Sequence, residues 1–230
     1  MSKAEKAAIV NRILEEEEAQ KRQSIFFDAD FVLADALCEE LRERLQIETA
    51  SFNQLTSIRI EDDACVEIII PYLWRFHDTG FVQQLITQHF WRRGNQVCSD
   101  FLEAWTKHCI EAGQMNGMME NTLDNAFIHI QDRRKAQFYV ELMQAGYDFP
   151  FTMEMLGRWR VPAALPVILG RISDPNYLLP QNAICALGWY MDSAHLPILR
   201  EWLEDGGPAT RKAAATAIRR IESRSTRKPK

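Results

Sequence analysis

A thirty-one-residue echo near the C-terminus constrains this chain more than any other feature. Leu165-Pro166-Val167 recurs as Leu196-Pro197-Ile198, Asp174 returns as Asp205, and Ala183, Ala186 and Leu187 return as Ala214, Ala217 and Ile218. One period earlier, Leu187-Gly188 is matched by Leu156-Gly157, with Thr152 and Met155 in the places of Ala183 and Ala186. The joints keep register too: Ser173-Asp174-Pro175-Asn176 aligns with Glu204-Asp205-Gly206-Gly207. A fixed period of this size, carried by small and aliphatic residues at helical spacing, specifies an array of stacked helix pairs. A lone pair cannot bury its apolar faces, whereas stacked pairs share one continuous core.

Helical spacing runs through the rest of the chain, with no period-two alternation of strand length. A first helix is expected over about Ala4–Gln23, with the Glu15–Glu18 run as a solvated face. A second follows to about Gln46, capped by Asp28 or Asp30, with Phe31, Leu33, Ala34, Leu37, Leu41 and Leu45 as its apolar stripe. Residues 64–222 then read as pairs of an A helix and a B helix. The A helices are expected at 64–76, 98–111, 135–145, 163–172 and 195–204. The B helices are expected at 81–92, 118–130, 151–159, 178–191 and 209–223. Residues 1–63 read as N-terminal helices capping the array, and 223–230 as a basic, frayed tail. Trp74, Trp105 and Trp202 fall on A-helix apolar stripes and read as core.

Pro208-Ala209-Thr210-Arg211-Lys212-Ala213-Ala214-Ala215-Thr216-Ala217-Ile218 and Leu178–Gly188 resemble the B helix of a HEAT repeat of the short bacterial, phycobilin-lyase type. Met118–Ile130, with Leu123-Asp124-Asn125-Ala126, resembles it more loosely. The resemblance implies an all-α fold, a right-handed α-solenoid of roughly five antiparallel pairs with N-terminal helices in front. It is specific for fold and nearly silent about activity, because repeat residues mostly specify packing. Phycobilin lyases, an alkylbase DNA glycosylase family and many bacterial interaction proteins share this kind of repeat.

Composition narrows the function classes. The apolar stretches fall far short of a membrane span, and the start Met1-Ser2-Lys3-Ala4-Glu5-Lys6 lacks a secretory apolar segment, so a cytoplasmic protein is expected. Five scattered cysteines (Cys38, Cys65, Cys98, Cys109 and Cys185) read as reduced thiols in helical stripes. His108-Cys109 with Cys98 lacks the paired spacing of a metal site, His77-Asp78 reads as a helix cap, and Glu61-Asp62-Asp63 lacks the turn glycine of a calcium loop. None of the ten glycines forms a phosphate-cradling motif. No cofactor, metal or catalytic residue is therefore expected, and the chain reads as a non-enzyme.

Residues 1–150 hold 15 Lys and Arg against 25 Asp and Glu, and residues 151–230 hold 12 against 7. The acidic surplus makes a basic protein partner the better expectation and nucleic acid a poor one. One concrete version is an immunity or inhibitor protein that neutralises a basic bacterial toxin. The competing readings are a DNA glycosylase, which would use Trp91-Arg92-Arg93 or Arg158-Trp159-Arg160 on the nucleic acid, and a bilin-lyase-like subunit. In a helix-pair solenoid the B helices line an extended binding surface. Their solvent-facing positions are expected to include Gln84, Gln88, Trp91, Glu120, Asp124, Arg158, Asn182 and Trp189, with Trp91 and Trp189 as the hot-spot candidates. Replacing Ala217 by Leu is expected to overpack the repeat seam by roughly 1–3 kcal/mol, read as a lower midpoint in urea denaturation with an unchanged slope.

Overall fold

The computed structural model describes residues 29–46, 55, 63–174 and 179–225. The expected first helix with its Glu15–Glu18 run, Asp28, Glu61-Asp62 and the last five residues of the tail lie outside them. The described residues are helical throughout, with no strand among them. The chain forms two compact units, Met1–Phe90 and Trp91–Lys230.

The first unit contains helix α1 (29–45), α2 (Asp63–Leu73) and α3 (Thr79–His89). Ala34, Leu37 and Leu41 of α1 are fully buried, as are Ile69 and Leu73 of α2 and Val82, Leu85 and Ile86 of α3. Phe31, expected on the buried stripe, is 44% exposed and meets Phe81 edge-on at 5.6 Å. Trp74 is likewise not core: α2 ends at Leu73, and the indole in the following turn is 43% exposed.

Asp30 does not cap its own helix. It sits inside α1, fully buried, and its carboxylate accepts the backbone N–H of His77 at 3.0 Å and of Asp78 at 2.6 Å, just ahead of α3. Asp78 in turn caps α3, accepting from the Gly80 N–H at 2.7 Å, as the turn sequence predicted.

The second unit holds four pairs: α4 (Gln96–Glu111) with α5 (Gly117–Ile130), α6 (Ala136–Gln144) with α7 (Pro150–Trp159), α8 (Leu165–Ser173) with α9 (Pro180–Tyr190), and α10 (Leu196–Asp205) with α11 (Pro208–Ser225). Its B helices α5, α7, α9 and α11 form a continuous row, each packed on the next, while α4, α8 and α10 back onto their own B helices. This is an α-solenoid of stacked antiparallel pairs. Phe127 anchors the interior at the α5–α7 end, 4.7 Å from Tyr139 and 5.6 Å from Phe149.

The row is held by backbone-close contacts between small residues. A Cβ placed on Gly157 of α7 would sit 2.5 Å from the carbonyl oxygen and 2.7 Å from the Cα of Ala186 on α9. One period on, a Cβ on Gly188 of α9 would sit 2.6 Å from the Ala217 Cβ on α11. The echo Gly157–Gly188 and Ala186–Ala217 is therefore one contact made twice. On the A side the spacing is looser. Trp202, expected in the core, is only half-buried and lines an open cleft of about 370 Å³ with Ile172, Ser173, Ile198 and Glu201, between α8 and α10.

Glycine is otherwise a poor helix residue, by ~1 kcal/mol relative to alanine. Gly157→Ala should nevertheless destabilise the chain by about 1–3 kcal/mol, because helix backbone blocks the new methyl. Gly170→Ala on α8, where nothing lies within 4 Å of the new methyl, should stabilise it by up to ~1 kcal/mol. Thermal denaturation of the two variants beside the parent checks the opposite signs.

Candidate functional site

The inter-pair joints of the second unit share one geometry. Gln131, Arg160 and Met191 close α5, α7 and α9 in the left-handed conformation, with φ of 53°, 55° and 57°. Each is followed by an extended residue and a short 3-10 turn (Arg133–Lys135, Pro162–Ala164, Ser193–His195) that leads into the next A helix. Asp132 and Asp192 begin two of these turns by accepting the N–H of Arg134 and Ala194. Asp132 also accepts the Ser99 hydroxyl at 2.7 Å, and the Arg134 guanidinium holds its carboxyl down at about 2.

From these joints arginines reach to the end of the following B helix. Arg133 donates to the Trp159 carbonyl at 3.2 Å, and Arg160 to the Trp189 carbonyl at 3.0 Å. Cations suit those positions, where carbonyls at a helix C-terminus carry partial negative charge. Tyr190 returns the tie, donating from its hydroxyl to the Val161 carbonyl at 2.6 Å.

With the joints and the small-residue seam fixed, one face of the B row keeps partly exposed side chains. On α7 it carries Phe151, 43% exposed, half-buried Glu154 and exposed Arg158. The matching positions on α9 are Asn182, Cys185 and Trp189, all half-buried. On α11, Arg220 occupies the place of Trp189, and its guanidinium carbon stacks 3.5 Å from the centre of the Trp189 ring. Burial, with Glu154 adding to it, pushes the Cys185 thiol up, and Arg220 acts the other way, so Cys185 lies within reach of both charges.

The sequence-predicted site residues separate on this geometry. Arg158, Asn182 and Trp189 share the outward face. Gln84, exposed, and Gln88, half-buried, lie on α3 in the first unit. Trp91 is half-buried in the non-helical stretch before α4, so it is not a B-helix face residue. Glu120 on α5 accepts the Asp148 N–H at 2.9 Å, which ties it to the loop ahead of α7.

Asp124 is not solvent-facing. It is 1% exposed, and its carboxylate accepts the N–H groups of Phe151 at 2.9 Å and Thr152 at 2.7 Å. Helix α7 starts at Pro150 with no side-chain cap of its own, and Asp124 supplies that cap from the neighbouring helix. Burial is the larger effect on this carboxyl and pushes it up to about 6, against the N–H bonds that favour ionisation. Phe151 and Arg220 were missed from sequence. Arg220 was within reach, since it stands thirty-one residues after Trp189.

Two further shifted groups, Cys109 and His89, are enclosed. Burial pushes the Cys109 thiol up to about 11 and holds His89 down to about 4, where its Nε2 donates to the Leu55 carbonyl.

Residues 152–226 match the family model for HEAT repeats. The matched stretch runs from the third residue of α7 through α11 and contains the thirty-one-residue echo. No curated protein and no solved structure gives a match.

Asp124 yields a stability prediction with a sign. Its folded carboxyl titrates above the ordinary value near 3.9, so the folded state holds the proton more tightly. The resulting stabilisation is fully present below about pH 4 and is lost as pH rises to about 6. Asp124→Asn should flatten that portion of a melting-temperature profile between pH 4 and pH 7. Asp124→Ala leaves two helix N–H groups without their acceptor and should cost about 1–3 kcal/mol.

Proposed function

We propose that this chain is a non-enzymatic scaffold that binds another protein along the outward face of its B helices. The observation that carries the reading is the row of Phe151, Arg158, Asn182 and Trp189, side chains that the packing of α7, α9 and α11 leaves over. Stacked repeats use such extended faces for binding, and large aromatic and arginine side chains dominate interface energetics. Among the described residues, the buried carboxylates of Asp30, Asp124 and Asp132 accept backbone N–H groups, and His89 donates to a carbonyl.

A narrower version makes the chain a cytoplasmic immunity or inhibitor protein that covers the active surface of a basic bacterial toxin. What supports it is charge. Residues 1–90 hold 9 Lys and Arg against 17 Asp and Glu, so the acidic surplus belongs mainly to the first unit. A field of that sign accelerates encounter with a basic partner.

Two measurements test these levels separately. Co-expression with the product of the neighbouring gene should rescue growth from that product; equal killing with and without the chain rejects the immunity version. For the scaffold itself, Phe151→Ala and Trp189→Ala should each weaken the complex with its purified partner about tenfold or more, with a nearly unchanged melting temperature. Binding indifferent to both variants rejects the B-helix face, and a large loss of stability returns Trp189 to the packing interior.

A further inference from the structure

We infer that the row Arg158–Trp189–Arg220 is a docking site for an acidic segment of a partner protein, an inference that rests on the scaffold reading above. The guanidinium of Arg220 lies against the Trp189 ring at 3.5 Å, and stacking fixes its plane without using its N–H donors. Neither Arg220 nor Arg158 has a side-chain hydrogen bond or ion pair among the described residues. Arg158 stands one thirty-one-residue period before Trp189, as Trp189 stands before Arg220. The two guanidinium groups therefore flank the indole from α7 and α11, on either side of α9.

Two helix spacings are roughly 16–20 Å, a distance that an extended segment covers in about five or six residues. Carboxylates at that separation would each meet a planar guanidinium fork, with the indole edge and Phe151 available to apolar side chains between and beside them. Residues 151–230 carry 12 Lys and Arg against 7 Asp and Glu, which complements such a segment. Glu154, one turn before Arg158, sets a negative boundary on the α7 side and disfavours wrong registers. Nucleic acid fits less well. Residues 91–230 hold 18 basic against 15 acidic residues, and a phosphate backbone tracking the row would meet Glu154.

The test uses the full chain and fluorescence anisotropy with three labelled probes of about twelve residues: an extended peptide with Glu five residues apart among Leu and Ser, the same peptide with Lys for Glu, and a single-stranded DNA. The acidic peptide should bind, more weakly as salt rises, and the Lys peptide should not. Arg158→Ala and Arg220→Ala should each weaken binding about tenfold, and Arg220→Lys should also lose affinity because it keeps the charge but not the fork. Arg200→Ala, an exposed arginine on A helix α10, should leave the affinity unchanged. Equal loss from Arg200→Ala, no binding of the acidic peptide, or tighter binding of the DNA overturns the inference. A partner complex that is lost on Phe151→Ala but indifferent to both arginine variants overturns it too, while leaving the scaffold reading standing.

Discussion

Close approach of backbone to backbone, Gly157 against Ala186 and Gly188 against Ala217, is the contact on which the second unit depends. It draws α7, α9 and α11 toward the short end of the usual ~8–10 Å range of helix spacing. The residues after the two glycines, Arg158 and Trp189, and their period-mate Arg220 stand at the margin of that seam, where the Arg220 guanidinium comes within 3.6 Å of a Cβ placed on Gly188. The row of candidate binding residues thus borders the close packing. On the other side, α8 and α10 are kept apart by whole side chains and retain a cleft at Trp202. A row that is tight on one edge and loose on the other makes the B side the shorter edge of the stack.

Buried carboxylates inside the two units serve the starts of helices and turns. Four N–H groups at the beginning of a helix have no partner within it. Where a helix carries its own cap, as with Asp78, Asn95 and Asn116, the sequence announces it. Helix α7 opens on proline without a cap, and there a carboxylate arrives from the neighbouring helix, that of Asp124. Asp30 serves the chain just ahead of α3 in the same way. Among the described residues, the buried carboxylates of Asp30, Asp124 and Asp132 therefore mark joints between helices.

Most of the helical layout was legible because periodicity and turn residues report local structure. The five expected pairs match the observed helices to within a few residues, and the echo located the seam through Ala186 and Ala217 before any contact was known. What stayed hidden was the direction of individual side chains. Asp124 follows the polar spacing of a solvent-facing residue, and only the position of α7 turns it inward. Trp74 and Trp202 sit on apolar stripes, yet a helix that ends one residue early exposes the first, and the gap between two A helices half-exposes the second. Phe31 fails for a similar reason, since its neighbour Phe81 covers one edge of the ring and leaves the rest open. The charge asymmetry was visible in sequence, but its distribution over two compact units was not.

The arginine ties at the joints give the stack a direction. Arg133 and Arg160 each hold a carbonyl that is in place only once the following B helix has formed, so these two joints are completed by the repeat after them. Met191 closes α9 in the same left-handed conformation as Arg160 but has no side-chain donor to offer α11. The last helix is held instead by the seam at Ala217, by the stacking of Arg220 on Trp189 and by its packing on α10, so this end of the stack is closed by side chains and not by a backbone tie.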